Sequence, residues 1–497
     1  MHIPLQATYC LRCTFPLNGC FPVTLLHFST ADWLIVFAYL LFLFVLGFRG
    51  ARLSRSTSEE FILGGRMLTL PGFVMALVST WYGGILGVGE FSYMYGIANW
   101  FVFGLPYYIF AIVFAVFFAR RVRDSRLYSI PDQLYATYDR KTGLLGSIFV
   151  FFNSSPAPYI LMLAVLLQVV TGWALLPSLL IGTAVTIVYV YTGGFRAVVK
   201  TDILQFALMF IGFFLLLLFL IPEHGLGFLA DALPSEHLTV TGGNSWQYIL
   251  VWFFIALWTL VAPQFHQFTL SAKTPQIAQK GIVVSVLCWF VFDSITTLSG
   301  LYARALLPEL SAPSMAYPLL AEQVLPGVAK GIFFVGMLAT VMSTTDGLTF
   351  IAGLTAGRDI LSVLTGRRDD RSVTRYTQLG ILFTAVLSIA AVLVFPSVIN
   401  LWYVIGTLFI PALLLPLITS YYPRWALTGS WTFTAMLAGF SVSCLSLVLG
   451  HVYRIDEVPH YPFDIEPMYG GLTLTILIYL AGLLRTKRTH PSKPMGV

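Results

Sequence analysis

"MALVSTWYGGILGVGE", residues 75–90, lies in an apolar run covering 68–95 and carries Gly83, Gly84, Gly87 and Gly89 within seven positions. A run of that length can cross a hydrocarbon layer of about 30 Å as a helix. Glycine is the weakest ordinary helix former, and Ser79 and Thr80 put hydroxyls at the same depth. The stretch therefore predicts a span that breaks near its middle. Irregular backbone at membrane depth is tolerated only where it lines a cavity or is buried in protein. The alternative is ordinary glycine packing between tightly apposed helices.

Working outward, the same apolar pattern repeats along the whole chain. Of the 497 residues, 58% are hydrophobic and 10% charged, against roughly 25% charged in a soluble protein, and the mean hydropathy is +0.83. The pattern predicts an all-α integral membrane protein with about thirteen spans, near 31–48, 68–95, 99–119, 144–171, 174–192, 202–221, 246–262, 281–303, 329–357, 375–395, 398–420, 428–450 and 467–484. With the N-terminus outside, the inner loops hold 24 of the 28 Lys and Arg, as the positive-inside rule asks. The C-terminus then lies inside, and the net charge of +6 reflects loops at a cytoplasmic membrane rather than nucleic-acid binding. Residues 1–30 read as an N-terminal extension containing Cys10, Cys13 and Cys20, and 485–497 as a basic cytoplasmic tail. Cys288 and Cys444 read as packing residues. The longest hydrophilic segments are about 25 residues, and no GxxxxGK[ST] loop occurs. That disfavours an ATP-driven pump, and energy, if needed, would come from an ion gradient.

A second interruption is expected in "WTLVAPQFHQF" (258–268), where Pro263 removes a backbone donor beside Gln264. The two interrupted spans are five apart. Secondary transporters use such helices at matching positions of two inverted halves, so the spacing predicts repeats over 68–221 and 246–420. The segment 31–67 precedes them and two further spans, 428–484, follow. In the ninth span, "ATVMSTTDGL" (339–348) places Thr340, Ser343, Thr344, Thr345 and Asp346 in an apolar helix. Hydroxyls there either bond back to carbonyls one turn earlier or serve as oxygen ligands for a hard cation. An intramembrane carboxylate is functional by default; Asp346 can attract an ion or pair with a neighbour. Asp202, in "KTDILQ", reads either as an N-cap of the sixth span or as an ion-coupling group. Asp293 reads as lining a hydrated side of the bundle.

"EEFILGGRMLTLPGFVMALVSTWYGGILGVGEFSYMYG" (59–96), "YTGGFRAVVKTDILQ" (191–205), "APQFHQFTLSAKTPQIAQKG" (262–281), and "GLYARALLPEL" with "LPGVAKGIFFVGMLATVMSTTDGLTFIAGLTAGRDIL" (300–361) together resemble the solute:sodium symporter family of proline, pantothenate, choline and sugar carriers. The resemblance covers about residues 55–425. It implies the inverted five-plus-five repeat of the leucine-transporter-like fold and no enzymatic activity. It implies no cofactor beyond Na+ as coupling ion, with the lipid bilayer and a small organic solute as partners. The sodium ligands it implies are the carbonyls of Leu77, Thr80 and Thr340 and the hydroxyls of Ser343 and Thr344, with Asp202 and Asp346 in ion coupling. Thr340 stands where the family usually has Ala.

For the solute, the resemblance points to Trp81, Tyr82, Gly83, Glu90, Trp258 and Gln264. Thr80, Trp81 and Glu90 reproduce a pattern of the choline carriers and suggest a cationic or zwitterionic solute, although Ala262 stands where those carriers have a Trp. Glu90 in a hydrated outer vestibule is the other reading. The rival functions are a membrane sensor on the same fold, whose mark would be a fused signalling domain, and a proton-coupled carrier. An intramembrane enzyme is disfavoured: no HExxH or GxSxG motif occurs.

Overall fold

The computed structural model describes residues 26–53, 57–455 and 458–486; Cys10, Cys13, Cys20 and the tail from 487 onward lie outside them. Among the described residues, eleven helices are long and apolar enough to cross a bilayer, and a bent pair, Leu70–Trp81 with Ile85–Tyr95, makes a twelfth span. The Leu175–His224 helix has 50 residues, about 75 Å at 1.5 Å per residue, too long for one crossing. It is divided at Gly194, whose φ of 57° and ψ of −153° leave the helical region. A Cβ at Gly194 would also meet the Phe61 carbonyl oxygen at 2.6 Å, so both conformation and space require glycine there. Counting its two arms separately gives the thirteen crossings that the hydropathy pattern predicts.

Apart from the two-residue strands Arg454–Ile455 and Val458–Pro459, the described fold is helical. Its outer surface carries exposed Leu34, Phe37, Leu41, Phe214, Phe383, Val386 and Leu445. An apolar face spread over so many helices is what a bilayer covers. The chain is a multi-pass membrane protein. The Gly327–Leu354 helix is its innermost element, buried without interruption from Phe333 to Leu354. Protein rather than lipid surrounds the hydroxyls of "ATVMSTTDGL", which removes the cost of exposing them to hydrocarbon.

Both expected interruptions are present. The first pair bends by 62° across Tyr82–Gly84. A Cβ on Gly83 would stand 2.2 Å from Thr344 Oγ1, so glycine lets the break touch the innermost helix. A Cβ on Gly84 would meet the Trp402 ring at 2.5 Å. The second interruption separates Trp258–Val261 from Pro263–Ser271 through Ala262, which is extended at φ −68°, ψ 119°. The carbonyls freed there find side-chain donors: Asn153 Nδ2 reaches Val261 O at 3.2 Å, and His266 Nε2 stands 3.2 Å from Leu260 O.

The chain entering the first broken span is latched to the chain leaving the second. Leu68 and Ala272 form a parallel bridge through Leu68 N to Ser271 O, 3.2 Å, and Lys273 N to Leu68 O, 3.0 Å. Arg66 reinforces it, pairing with Glu59 at 2.6 Å and donating to the carbonyls of Arg126, Leu127 and Leu270 at 2.7, 3.1 and 3.2 Å.

Candidate functional site

Two adjoining regions meet at the break in Leu70–Tyr95. On one side the break faces Gly327–Leu354. Thr344 Oγ1 donates to the Thr80 carbonyl at 2.7 Å, Ser343 Oγ donates to Asp202 Oδ1 at 2.6 Å, and Thr80 Oγ1 donates to Asp202 Oδ2 at 3.1 Å. The Thr80 and Ser343 hydroxyls lie 3.4 Å apart. Leu77, Thr80, Asp202, Thr340, Ser343 and Thr344 are all fully buried. The result is a compact oxygen-rich knot tying three helices, with one carboxylate and no Lys or Arg in an ion pair with it among the described residues.

Asp202 is not a helix cap. It lies about two turns inside the second arm of Leu175–His224, because the helix runs on through Arg196 and Lys200 where the sequence suggested a loop. The Thr340 hydroxyl bonds back to Gly336 O at 2.7 Å, and Thr345 does the same to Val341 O at 2.8 Å. Of the hydroxyls in this segment, only those of Ser343 and Thr344 reach across to neighbouring helices. Asp346 is fully buried and accepts from the Tyr189 hydroxyl. It pairs with a neighbour, and that neighbour is a phenol on the Leu175–His224 helix.

On the other side of the break is a cavity of about 120 Å³. Trp81 and Tyr82 enter it from the break, Tyr107 and Tyr108 from the Trp100–Asp124 span, and Trp252, Trp258 and Gln264 from the second broken span. Trp289 and Asp293 of Pro275–Leu306 and Trp402 of Val398–Ser420 complete much of the wall. Asp293 is the one charged residue of the lining. It accepts from Tyr82 OH at 2.5 Å and from the Tyr108 hydroxyl, and Tyr82 OH also stands 2.8 Å from Thr296 Oγ1. The Gln264 carboxamide oxygen is buried without a hydrogen-bond partner.

Four of the six residues singled out for a solute, Trp81, Tyr82, Trp258 and Gln264, therefore share one cavity. Gly83 and Glu90 are not in its wall. Gly83 packs on Thr344 instead, and Glu90 is half-buried six residues beyond the break on Ile85–Tyr95. Beyond the 62° bend, Gly84 and Val88 still line the cavity and Glu90 does not. Asp293 is the carboxylate that the cavity uses, and Tyr107, Tyr108, Tyr159 and Trp402 are cavity residues that no local pattern marked.

A model of the sodium:solute symporter family matches residues 61–439, about three quarters of the chain and both halves of this site. The chain belongs to the sodium:solute symporter family. That is a family of transporters, not of enzymes. Among its curated relatives, this symporter-family chain is 26% identical to the sodium/pantothenate symporter of Haemophilus influenzae over 58% of its length and 63% of that protein. It is 23% identical to the high-affinity choline transporter 1 of Caenorhabditis elegans over 92% of its length and 86% of that protein. The match to the Drosophila melanogaster choline transporter also spans 63% of that protein, so the chain covers under two thirds of those two relatives. Its fold matches a Na+-coupled sialic acid symporter in a substrate-bound outward-open state, with a TM-score of 0.77 at 16% identity over 95% of this chain and 100% of that one. It also matches the nucleobase-cation-symport-1 family transporter Mhp1, with a TM-score of 0.56 at 14% identity over 85% and 94% of the two chains. These likenesses establish the leucine-transporter-like fold.

Proposed function

We propose that the chain is a sodium-coupled symporter that carries a small organic solute across the cytoplasmic membrane by alternating access. The observation that carries this reading is the contact of Gly83 and Thr80 at the break with Ser343 and Thr344 on the innermost helix. Sodium, the driving cargo, takes the carbonyls of Leu77, Thr80 and Thr340 and the hydroxyls of Ser343 and Thr344. A set made wholly of oxygens suits a hard cation, and a broken helix is where carbonyls are released from their own ladder. Asp202, already bonded to Ser343 and Thr80, supplies negative charge next to the ion, and Asp346 shapes the potential from one turn further on.

The solute occupies the aromatic cavity across the break. Ion and solute then hold opposite faces of one hinge, so each favours the arrangement that the other needs. By linkage each tightens the other's binding by the same factor. One sodium moving down about 100 mV releases about 2.3 kcal/mol, enough for roughly 50-fold accumulation. The two interrupted spans support inverted repeats over 68–221 and 246–420, and the Lys and Arg of the inner loops support an N-terminus outside and a C-terminus inside.

Thermal-shift screening of the purified chain against amines, amino acids, carboxylates and sugars, with and without sodium, tests the reading. Sodium alone should raise the melting temperature, and one solute class should raise it further only in sodium. A solute that stabilises equally in potassium, or responds only to proton concentration, contradicts it.

A further inference from the structure

We infer that the transported solute carries an ammonium group, held in the aromatic cavity with Asp293 as its counter-charge. This inference rests on the symporter reading and names the substrate class of its cavity. Trp81, Tyr107, Tyr159, Trp258, Trp289 and Trp402 bring aromatic rings to one space from six separate elements. The ring face is electron-rich and attracts an organic cation.

The electrostatics of the wall point the same way. Asp293 is 3% exposed, is the one charged lining residue, and makes no ion pair with Lys or Arg among the described residues. A carboxylate in the membrane interior is costly unless a positive charge compensates it, and two tyrosine hydroxyls supply hydrogen bonds but no charge. A carboxylate has about four acceptor positions, so Asp293 can still receive a further donor. Asp293 therefore asks the ligand for a donor or a positive charge. An anionic solute would meet Asp293 with no basic residue in the wall. A sugar brings no positive charge to offset the Asp293 carboxylate. Glu90, which the sequence suggested for this task, stands outside the cavity.

The test uses the full chain in lipid nanodiscs with choline, ethanolamine and glycine betaine as probes, and lactate and glucose as anionic and uncharged comparisons. Tryptophan fluorescence and calorimetry report binding, and radioactive sodium reports the ion site separately. At least one ammonium probe should bind saturably in sodium, and Asp293→Asn should weaken it by about thirtyfold or more while sodium binding stays intact. Independently of any variant, the uncharged carbon isostere of choline, dimethylbutanol, should bind far more weakly than choline. Equal binding of choline and its isostere overturns the inference. So does unchanged affinity in Asp293→Asn, preferential binding of lactate or glucose, or failure of every ammonium probe on protein that binds sodium. Failure of sodium itself to bind is a different result and counts against the symporter reading.

Discussion

Replacing Ser343 and Thr344 together by alanine removes the two hydroxyls that cross between helices, and the structure sets the size of the effect. In the structure Thr344 Oγ1 donates to the Thr80 carbonyl at 2.7 Å and Ser343 Oγ to the Asp202 carboxylate at 2.6 Å. A neutral hydrogen bond contributes about 0.5–1.5 kcal/mol and one to a charged group about 1.5–3 kcal/mol, so losing both in this arrangement costs about 2–4.5 kcal/mol. With sodium bound, the same hydroxyls each contact a full charge, and the loss is about 3–6 kcal/mol on the same scale. The difference, about 1–1.5 kcal/mol, is what binding registers: sodium should bind roughly 5- to 13-fold more weakly. Both states also become less stable, so the melting temperature should fall even without sodium. Equilibrium binding of radioactive sodium to the purified double variant, beside Thr345→Ala as control, measures this. Thr345 spends its hydroxyl on Val341 O, so its loss should leave sodium affinity unchanged. A folded double variant with wild-type affinity, or a Thr345→Ala variant that loses as much, would refute the assignment.

Gly83→Ala would put a methyl 2.2 Å from Thr344 Oγ1 and 2.3 Å from its Cβ; it should abolish the sodium-induced thermal shift, whereas Gly227→Ala, with nothing within 4 Å of the new atom, should leave it unaltered. Cysteines introduced at Glu236 and Asp464 should label from outside intact cells and one at Arg371 only after permeabilisation; outside labelling at Arg371 would overturn the proposed orientation. Glu90→Gln should change the affinity for an ammonium solute by less than about threefold, under 1 kcal/mol, because Glu90 is not in the cavity wall; a loss as large as that of Asp293→Asn would return Glu90 to the substrate site.

Hydropathy and helix-breaking residues carried most of the fold. Both interruptions fell where Gly83–Gly84 and Pro263 predicted, because those residues act through local backbone chemistry that neighbours do not alter. The segment 193–201 read as a loop because Arg196 and Lys200 interrupt the apolar run, yet it is helix on both sides of Gly194, and this misreading made Asp202 look like a cap. Charged residues end a hydrophobic pattern without ending a helix. Ser343 and Thr344 could be told from Thr340 and Thr345 by family resemblance, whereas their partners Thr80 and Asp202 lie more than a hundred residues away. The cavity was the least legible part. Its wall is drawn from Trp81 to Trp402, so no periodicity within one segment marks it.

Coupling between sodium and solute is read by measuring both affinities on one preparation in nanodiscs. Solute binding is titrated at zero and saturating sodium, and sodium binding at zero and saturating solute. Sodium should tighten the solute and the solute should tighten sodium by the same factor, and both effects should shrink together in the Ser343→Ala, Thr344→Ala protein. Solute affinity that is indifferent to sodium, with sodium affinity indifferent to solute, would contradict it.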